Sequence, residues 1–493
     1  MTTTGSRSLR ASPGSRYSFI AVIPVAVSLR LALLLAFGPR PSHDSVHGYV
    51  PFAHLIRDGT RWVSDAGLTD FAVPITTFRM IGYPALIALS DSIAGDRWPW
   101  LLVFVQIAAS VAAIVSVMLL AQALEPTRRW VAIAAGLAVA FGQTLGTDTA
   151  IQTDSLSAAT LVGFATFSAR GALQRRRIGP VKAIGLGLLP AASFLLRENT
   201  DLTVLTILPF AMAWIARAAP SHWRRLCLAL LVVMPLIVAN SAQVLWNTYR
   251  TGSSFVTTGT QTILLQALLH AAWTGVPVFD GGEPIDRAAG QILTAKEHPT
   301  GLFTRDELLA VNQRLFDGGA NAIRISRQMI AAYEHAWLRY PLGMFRATIG
   351  DLSGELFFLL GNGLRVNMSA LFVGPPGRGD IDPAGLVASL SLCGISLAIT
   401  VSFLFSPFAA IYRALVARQP FSEADWFRLA VLVASLSFLW LHAMVHFEDR
   451  YLAPVEPLAI IGGLTGLARA WARFDRARGR AAADPTPGDR PGT

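Results

Sequence analysis

The side chains that could do chemistry in this chain are concentrated in a polar segment, residues 43–79, which follows the first apolar run. Asp44 stands near its start and Arg79 at its end. A carboxylate can act as a general base or as a metal ligand, and an arginine can hold a phosphate group. From position alone, Asp44 is equally well explained as a helix cap or a solvated loop charge. The segment is therefore a candidate working surface, and its role depends on the elements that position it.

The composition predicts that those elements are membrane-spanning helices. Of the 493 residues, 53% are hydrophobic and only 15% are charged, whereas soluble domains carry about 25% charged residues. The mean hydropathy is +0.48 and the net charge is +10. The basic residues stand in short clusters between apolar runs, which the positive-inside rule explains better than nucleic-acid binding does. Both cysteines lie in apolar runs and indicate neither a disulfide framework nor a metal site.

We predict an all-α polytopic membrane protein with about ten transmembrane helices, outer-face loops and interface helices. The predicted spans are 17–37, 97–123, 130–146, 155–170, 180–196, 202–217, 226–247, 383–412, 427–446 and 452–471. Arginine clusters that begin at Arg128, Arg175 and Arg224 follow the second, fourth and sixth spans, on the side of the N-terminus. This alternation predicts a plasma (inner) membrane protein with both termini in the cytoplasm and residues 43–79 outside.

The same pattern divides the chain into five parts. We expect a disordered N-terminus (1–16), an N-terminal transmembrane module (17–247) with a first outer loop (38–96), an outer-face region (248–382), C-terminal transmembrane helices (383–472) and a disordered tail (473–493). Within these parts, residues 80–94 predict an interface helix and residues 352–373 an interface segment. Arg30 is an anomaly inside the first span, and we expect it to pair within the helix bundle or to reach the interface.

Several polar residues of later segments are expected on the same outer side as Asp44. Arg79, Arg197 and Arg450 lie at outer ends of spans, against the positive-inside trend, which favours an anionic ligand. Asp154 is expected in the first turn of a helix, where an acid can simply complement the helix dipole. His43 and His47 have a spacing that could place two metal ligands on one helix face, but no second pair follows, so metal binding is unknown from the residues.

The order of these residues resembles the integral-membrane glycosyltransferases of the GT-C fold, which include protein mannosyltransferases and the lipid A aminoarabinose transferase. The residues that carry the resemblance are Asp44, Tyr49, Arg79, Tyr83, Pro84, Asp154, Arg197 and the stretch Glu448 to Tyr451. The resemblance covers the topology of nearly the whole chain, and its specific residues lie mainly in 43–90.

The resemblance implies transfer of a hexosyl or pentosyl group, with inversion, from a polyprenyl-phosphate carrier to a glycan, lipid or protein acceptor on the outer face of the membrane. It implies that Asp44 is the catalytic acidic residue and that Arg79, Arg197 and Arg450 hold the carrier phosphate. Tyr49, Tyr83, Asp154 and Tyr451 are further implied substrate-binding residues. Many relatives have two adjacent acids where this chain has Asp44 and Ser45, which weakens the case for a metal-dependent mechanism. No cofactor is therefore assigned, and a divalent metal stays open.

Two other classes of protein fit parts of the pattern. A transporter or flippase for a lipid-linked or anionic solute would also place acids and arginines near the membrane, but it more often has symmetric halves with broken helices at matching positions. We find no such internal symmetry in the sequence. A membrane scaffold without catalytic activity would need no clustered acid and arginines in its outer loops.

Overall fold

The fold is a bundle of helices with very little other regular structure. The computed structural model describes residues 15–42, 44–58, 75–142, 144–197, 200–282, 284–295, 310–311, 313–315, 322–358, 383–445 and 453–483. Its α-helices are α1 Ser15–Phe37, α2 Val50–Asp58, α3 Ile75–Phe78, α4 Gly82–Ala94, α5 Trp98–Leu124, α6 Arg129–Ala140, α7 Thr144–Thr147, α8 Asp154–Leu173, α9 Pro180–Leu196, α10 Thr200–Ala218, α11 His222–Thr251, α12 Thr260–Trp273, α13 Pro284–Ala295, α14 Ala322–Arg339, α15 Pro341–Phe358, α16 Pro383–Leu415, α17 Glu423–Val445 and α18 Glu456–Ala483. A π-helical turn covers Ser45–Tyr49, and a 3₁₀ turn covers Gly95–Arg97.

The helical, all-α architecture predicted from the apolar runs is confirmed. Each of the ten predicted spans falls on a helix: α1, α5, α6, α8, α9, α10, α11, α16, α17 and α18. Within the described residues, five helical stretches are long and apolar enough to cross a membrane, namely Gly82–Leu124, Asp154–Leu173, His222–Tyr249, Gly394–Leu415 and Glu423–Met444. The shorter apolar helices are Ala21–Phe37, Arg129–Ala140, Pro180–Leu196, Val204–Ala218 and Ile263–Trp273. The number ten stays a prediction.

Three predicted boundaries are corrected by the structure. The third span was expected to reach residue 146, but α6 ends at Ala140, because the polar stretch that follows turns the chain before a short helix begins at Thr144. The tail expected to be disordered from residue 473 continues as helix to Ala483. Helix α1 begins at Ser15, two residues before the predicted span. The rest of both predicted disordered ends, and residues 359–373 of the predicted interface segment, lie outside the described residues.

Helix α8 lies at the centre of the bundle, in contact with α5, α9 and α10. Its sequence is rich in Ser, Ala and Gly, which let neighbouring helices approach closely inside a membrane. At Gly171 an added Cβ would meet the ring of Trp214 at 2.2 Å, and at Gly187 of α9 it would meet the backbone oxygen of Val232 at 2.2 Å. These close approaches are possible only with glycine, and they tie α8 to α10 and α9 to α11.

Arg30 pairs within the bundle, as one of the two sequence readings predicted. Its side chain is completely buried, and its Nε lies 2.6 Å from Oδ2 of the equally buried Asp148. The guanidinium also donates to Ser110 Oγ and to the carbonyl oxygens of Ala26 and Ala140. Ser155 donates its hydroxyl to Asp148 from the start of α8. The charged group is therefore satisfied inside the protein, and it links α1, α5 and α8 to the turn that precedes α8.

Two short strands join the first loop to that same turn. Strand β1 (Arg40–Pro41) pairs in parallel with β2 (Ala150–Ile151), and Ser42 extends the contact by donating its hydroxyl to the carbonyl oxygen of Ile151 at 2.8 Å. The guanidinium of Arg40 donates to Gly146 O at 2.5 Å and to Thr149 Oγ1 at 2.8 Å. These contacts fix the chain four residues before Asp44, so the position of that carboxylate is determined by the turn after α6.

Candidate active site

Asp44 and Arg79 form an ion pair at the end of the bundle where the first loop lies. Arg79 Nη2 lies 2.7 Å from Asp44 Oδ1, and the two side chains are 15% and 20% exposed. Asp44 immediately precedes the π-helical turn but makes no side-chain hydrogen bond to cap it. Asp44 therefore stands at the N-cap position without a side-chain capping hydrogen bond. Its carboxylate pairs with an arginine 35 residues away and is partly exposed.

The guanidinium of Arg79 is held between two aromatic rings. Its central carbon lies 5.1 Å from the ring centre of Tyr49 and 4.6 Å from that of Phe78, distances at which a cation is attracted by an aromatic face. An added Cβ at Gly48 would lie 3.6 Å from Arg79 Nε, an ordinary contact distance, so a small side chain would fit there. The orientation of Arg79 is thus set by its surroundings.

Tyr83 is the buried neighbour of Tyr49. It is fully buried, and its ring packs edge-on against Tyr49 with centres 5.1 Å apart. Its hydroxyl donates to Gln106 Oε1 at 2.7 Å, and Gln106 in turn donates to the carbonyl oxygens of Asp148 and Ala150. Both rings are buried, with Tyr49 4% and Tyr83 0% exposed. The substrate-binding roles expected of Tyr49 and Tyr83 stay predictions.

Asp154 and Arg197 form a second ion pair on the same side of the bundle. Asp154 is the first residue of α8, where its charge complements the helix dipole, and Arg197 directly follows α9. Asp154 is almost completely buried, whereas the Arg197 side chain is 15% exposed. The acid therefore has a structural partner already, and Arg197 presents the accessible group of the pair.

One apolar cluster connects the two ion pairs. Tyr49, Tyr83, Leu156 and Leu196 all belong to it. Leu156 lies two residues after Asp154, and Leu196 directly precedes Arg197, so both pairs are anchored to the same packed surface. The structure thus brings together residues that the sequence places in three separate segments.

The outer-face region is also attached to this end. Thr77, two residues before Arg79, accepts a backbone hydrogen bond from Thr258 at 2.8 Å, and the two hydroxyl groups lie 3.1 Å apart. Further along, the Tyr340 hydroxyl donates to Asp280 Oδ2 at 2.6 Å. That hydrogen bond lowers the pKa of the Asp280 carboxyl and keeps it ionised. Asp280 is not among the site residues predicted from the sequence, where Glu283 follows it by only three residues.

Some predicted site residues cannot be compared with the structure. Arg450 and Tyr451 lie outside the described residues, as does His43. In the part of the chain that the structure describes, no three His, Cys, Asp or Glu side chains are grouped so that they could hold a metal ion. Ser45, at the position of the second acid in many GT-C enzymes, is completely buried and donates its hydroxyl to Ser42 O at 2.7 Å. A side chain at this position therefore faces the protein.

An apolar groove lies among helices α8 to α11. It has a volume of about 430 Å³ and is lined by residues of α8 to α11, among them Pro190, Leu208 and Leu236. Met80, the neighbour of Arg79 in the chain, packs in one cluster with Phe194 and Leu236. Leu236 lines the groove and packs against the cluster that contains Met80, which is the chain neighbour of Arg79.

Comparison with known proteins gives matches at the level of structure alone. No protein-family model and no curated protein sequence matches the chain. The structure resembles the apo oligosaccharyltransferase of Archaeoglobus fulgidus, with a TM-score of 0.46, 13% identity and coverage of 96% of this chain and 52% of the other. It also resembles the oligosaccharyltransferase AglB of that organism in complex with an inhibitory peptide and a dolichol-phosphate, with a TM-score of 0.42, 14% identity and coverage of 98% and 53%.

A third similar structure is ArnT from Cupriavidus metallidurans bound to undecaprenyl phosphate, with a TM-score of 0.32, 13% identity and coverage of 97% and 82%. The chain spans about half the length of the oligosaccharyltransferases it matches. Because all these TM-scores are below 0.5, the resemblance carries no conclusion about the function of this chain.

Proposed function

We propose that this protein is a membrane glycosyltransferase that moves a sugar from a polyprenyl-phosphate carrier to an acceptor at the end of the bundle that holds Asp44. The observation that supports this most directly is the Asp44–Arg79 ion pair, whose side chains are 20% and 15% exposed. A glycosyl transfer from a lipid phosphate needs a base for the acceptor, a cation for the leaving phosphate and a place for the lipid tail. The ion pair offers the first two, and the groove among α8 to α11 offers the third.

In the proposed reaction the donor phosphate competes with Asp44 for Arg79. A phosphate can take up the arginine through charge-assisted hydrogen bonds, while the aromatic rings of Tyr49 and Phe78 keep the guanidinium in position. The Asp44 carboxylate is then released next to the reacting centre. Donor binding would thereby activate the base, so that a free acceptor is not deprotonated in the absence of donor.

The transfer itself is a single displacement. An acceptor oxygen attacks the anomeric carbon of the sugar, the bond from that carbon to the phosphate oxygen breaks, and the phosphate leaves with the bonding electron pair. Asp44 takes the acceptor proton, and Arg79 stabilises the negative charge that develops on the leaving group. Attack from the face opposite the phosphate inverts the anomeric configuration. Arg197 is a second candidate for the phosphate, since its guanidinium is the accessible part of its ion pair.

The lipid tail would occupy the apolar groove. The cluster that contains Met80 connects the groove to Arg79, so a phosphate on Arg79 and a prenyl chain in the groove can belong to the same molecule. The groove is lined by side chains of four helices, and its apolar character suits a hydrocarbon chain. A water-soluble nucleotide-sugar donor would make no use of it.

The proposal is tested by a transfer assay with a panel of radiolabelled polyprenyl-phosphate sugars. Membranes that contain the protein should move label from the organic-soluble carrier to an acceptor, and membranes with Asp44→Asn should not. A flippase would instead carry labelled donor across the bilayer without breaking the bond to phosphate. Label that changes leaflet but stays on the carrier would contradict the glycosyltransferase proposal and support the transporter alternative.

A further inference from the structure

The opposite end of the bundle holds a second groove, which the glycosyl-transfer proposal does not use. It has a volume of about 410 Å³, within the range of small-molecule pockets, and lies between α16 and α18. This is the end where the arginine clusters of the sequence occur, so the positive-inside rule predicts that it faces the cytoplasm.

One face of α16 changes from apolar to basic along the groove. Val401, Phe405, Ala409 and Arg413 all line it, and their spacing of four residues places them in a row along the helix. Phe405 is 63% exposed and Val401 is 45% exposed, so the apolar part opens to the surface of the bundle. A molecule that fits this row has a long apolar part and an anionic end.

The basic end of the groove carries more positive charge than the carboxylates of the described residues neutralise. Its lining includes Arg413, Arg428, Arg469 and Arg473. Asp425 is shared by three of these arginines, and Glu125 lies 3.1 Å from Arg469. Two carboxylates against four guanidiniums leave two positive charges.

Two of these arginines have guanidinium N–H groups that could bind a ligand. Arg473 is exposed and makes no ion pair with any residue that the structure describes. Arg428 is only 2% exposed, and its Nε has no hydrogen-bond partner among the described residues. A buried donor without a partner costs free energy unless a ligand or water satisfies it. An anionic group in the groove would meet this requirement.

We propose that this groove binds one anionic phospholipid, with its phosphate among Arg413, Arg428 and Arg473 and an acyl chain along Val401, Phe405 and Ala409. A free phosphate would leave the apolar part of the groove unused. A zwitterionic lipid would bring no net negative charge to the two uncompensated guanidiniums. The bound lipid joins α16 to α18, so it should stabilise the packing of the last three helices.

The test compares lipids added to the delipidated protein in detergent, with the thermal unfolding midpoint as the readout. Dioleoyl phosphatidylglycerol should raise the midpoint at a lower mole fraction than dioleoyl phosphatidylcholine does. A charge near an anionic membrane surface contributes about fivefold in affinity per arginine, so R413Q/R473Q should need roughly 25-fold more phosphatidylglycerol. R224Q removes an arginine of the same end outside the groove and should behave like the wild type.

Two further variants keep the test decisive. A409W fills the apolar part of the groove without changing charge and should also weaken the response to phosphatidylglycerol. R473Q alone breaks no ion pair with the described residues, so it should fold even if the double variant does not, and it should shift the response about fivefold. Equal responses to the two lipids, an unchanged response of R473Q, or the same stabilisation by inorganic phosphate alone would overturn the phospholipid proposal.

Discussion

The substitution Asp44→Asn separates the two roles of the Asp44–Arg79 pair. Asparagine has nearly the same shape as aspartate and can still accept a hydrogen bond from Arg79, but it cannot take a proton. Because both side chains are partly exposed, at 20% and 15%, loss of the charge pair should lower the free energy of unfolding by at most ~1 kcal/mol. The fold and the position of Arg79 should therefore be preserved.

The expected loss of transfer is much larger than the loss of stability. A general base contributes about 100-fold to 10,000-fold in rate, so the turnover number should fall by ~100-fold or more, which corresponds to ~2.7 kcal/mol at the transition state. Donor binding should change in the opposite sense. Without a competing carboxylate, Arg79 is more available to the carrier phosphate, so the KM for the donor should stay the same or decrease.

The assay is transfer of label from a polyprenyl-phosphate sugar by purified protein at several donor concentrations, which separates the turnover number from KM. Asp58→Asn, in the same loop, is the matched control, because Asp58 pairs with Arg57 in an exposed position. Asn variants of Asp65 and Asp70, which lie outside the described residues, extend the control set. Transfer at the wild-type rate by Asp44→Asn would refute its role as base, and Asp154 would then be the next carboxylate to examine.

Four further predictions follow from named contacts. Arg79→Ala should weaken donor use by ~2–5 kcal/mol if the charge pair with phosphate is desolvated, and Arg79→Lys should recover only part of it, because a point charge replaces a planar fork; donor-dependent kinetics that match the wild type would remove Arg79 from the site. Arg30→Leu should destabilise the fold by ~3–5 kcal/mol, because its buried carboxylate partner is left unpaired; the thermal unfolding midpoint checks this. Gly82→Ala should cost ~1–3 kcal/mol, since its Cβ would lie 2.3 Å from the backbone of α9, whereas Gly185→Ala, with open space around it, should be nearly neutral. A cysteine placed at Arg175 should resist membrane-impermeant thiol reagents applied from outside, and labelling there would reverse the predicted topology.

The sequence determined which segments are helices and which end of each helix carries charge. Long apolar runs, and the arginines between them, are local features of the sequence. An apolar run gains free energy by burial whatever its position in the chain. Each of the ten predicted spans therefore overlaps a helix, although α6 ends at Ala140, before the predicted end of the third. The pairing of Arg30 inside the bundle was also predictable, because a charge within an apolar span needs a partner.

Only the tertiary structure decided which side chains meet. Asp44 and Arg79 are 35 residues apart, Arg30 and Asp148 are 118 apart, and Glu125 and Arg469 are 344 apart. Such contacts depend on how the helices pack against one another. Close packing depends in turn on small residues such as Gly171 and Gly187, and the charge pattern of the sequence does not indicate which glycines these are. The sequence could place acids and arginines at the two ends of the bundle. Their selection as ion pairs, and the second groove at the arginine-rich end, came from the arrangement of the helices.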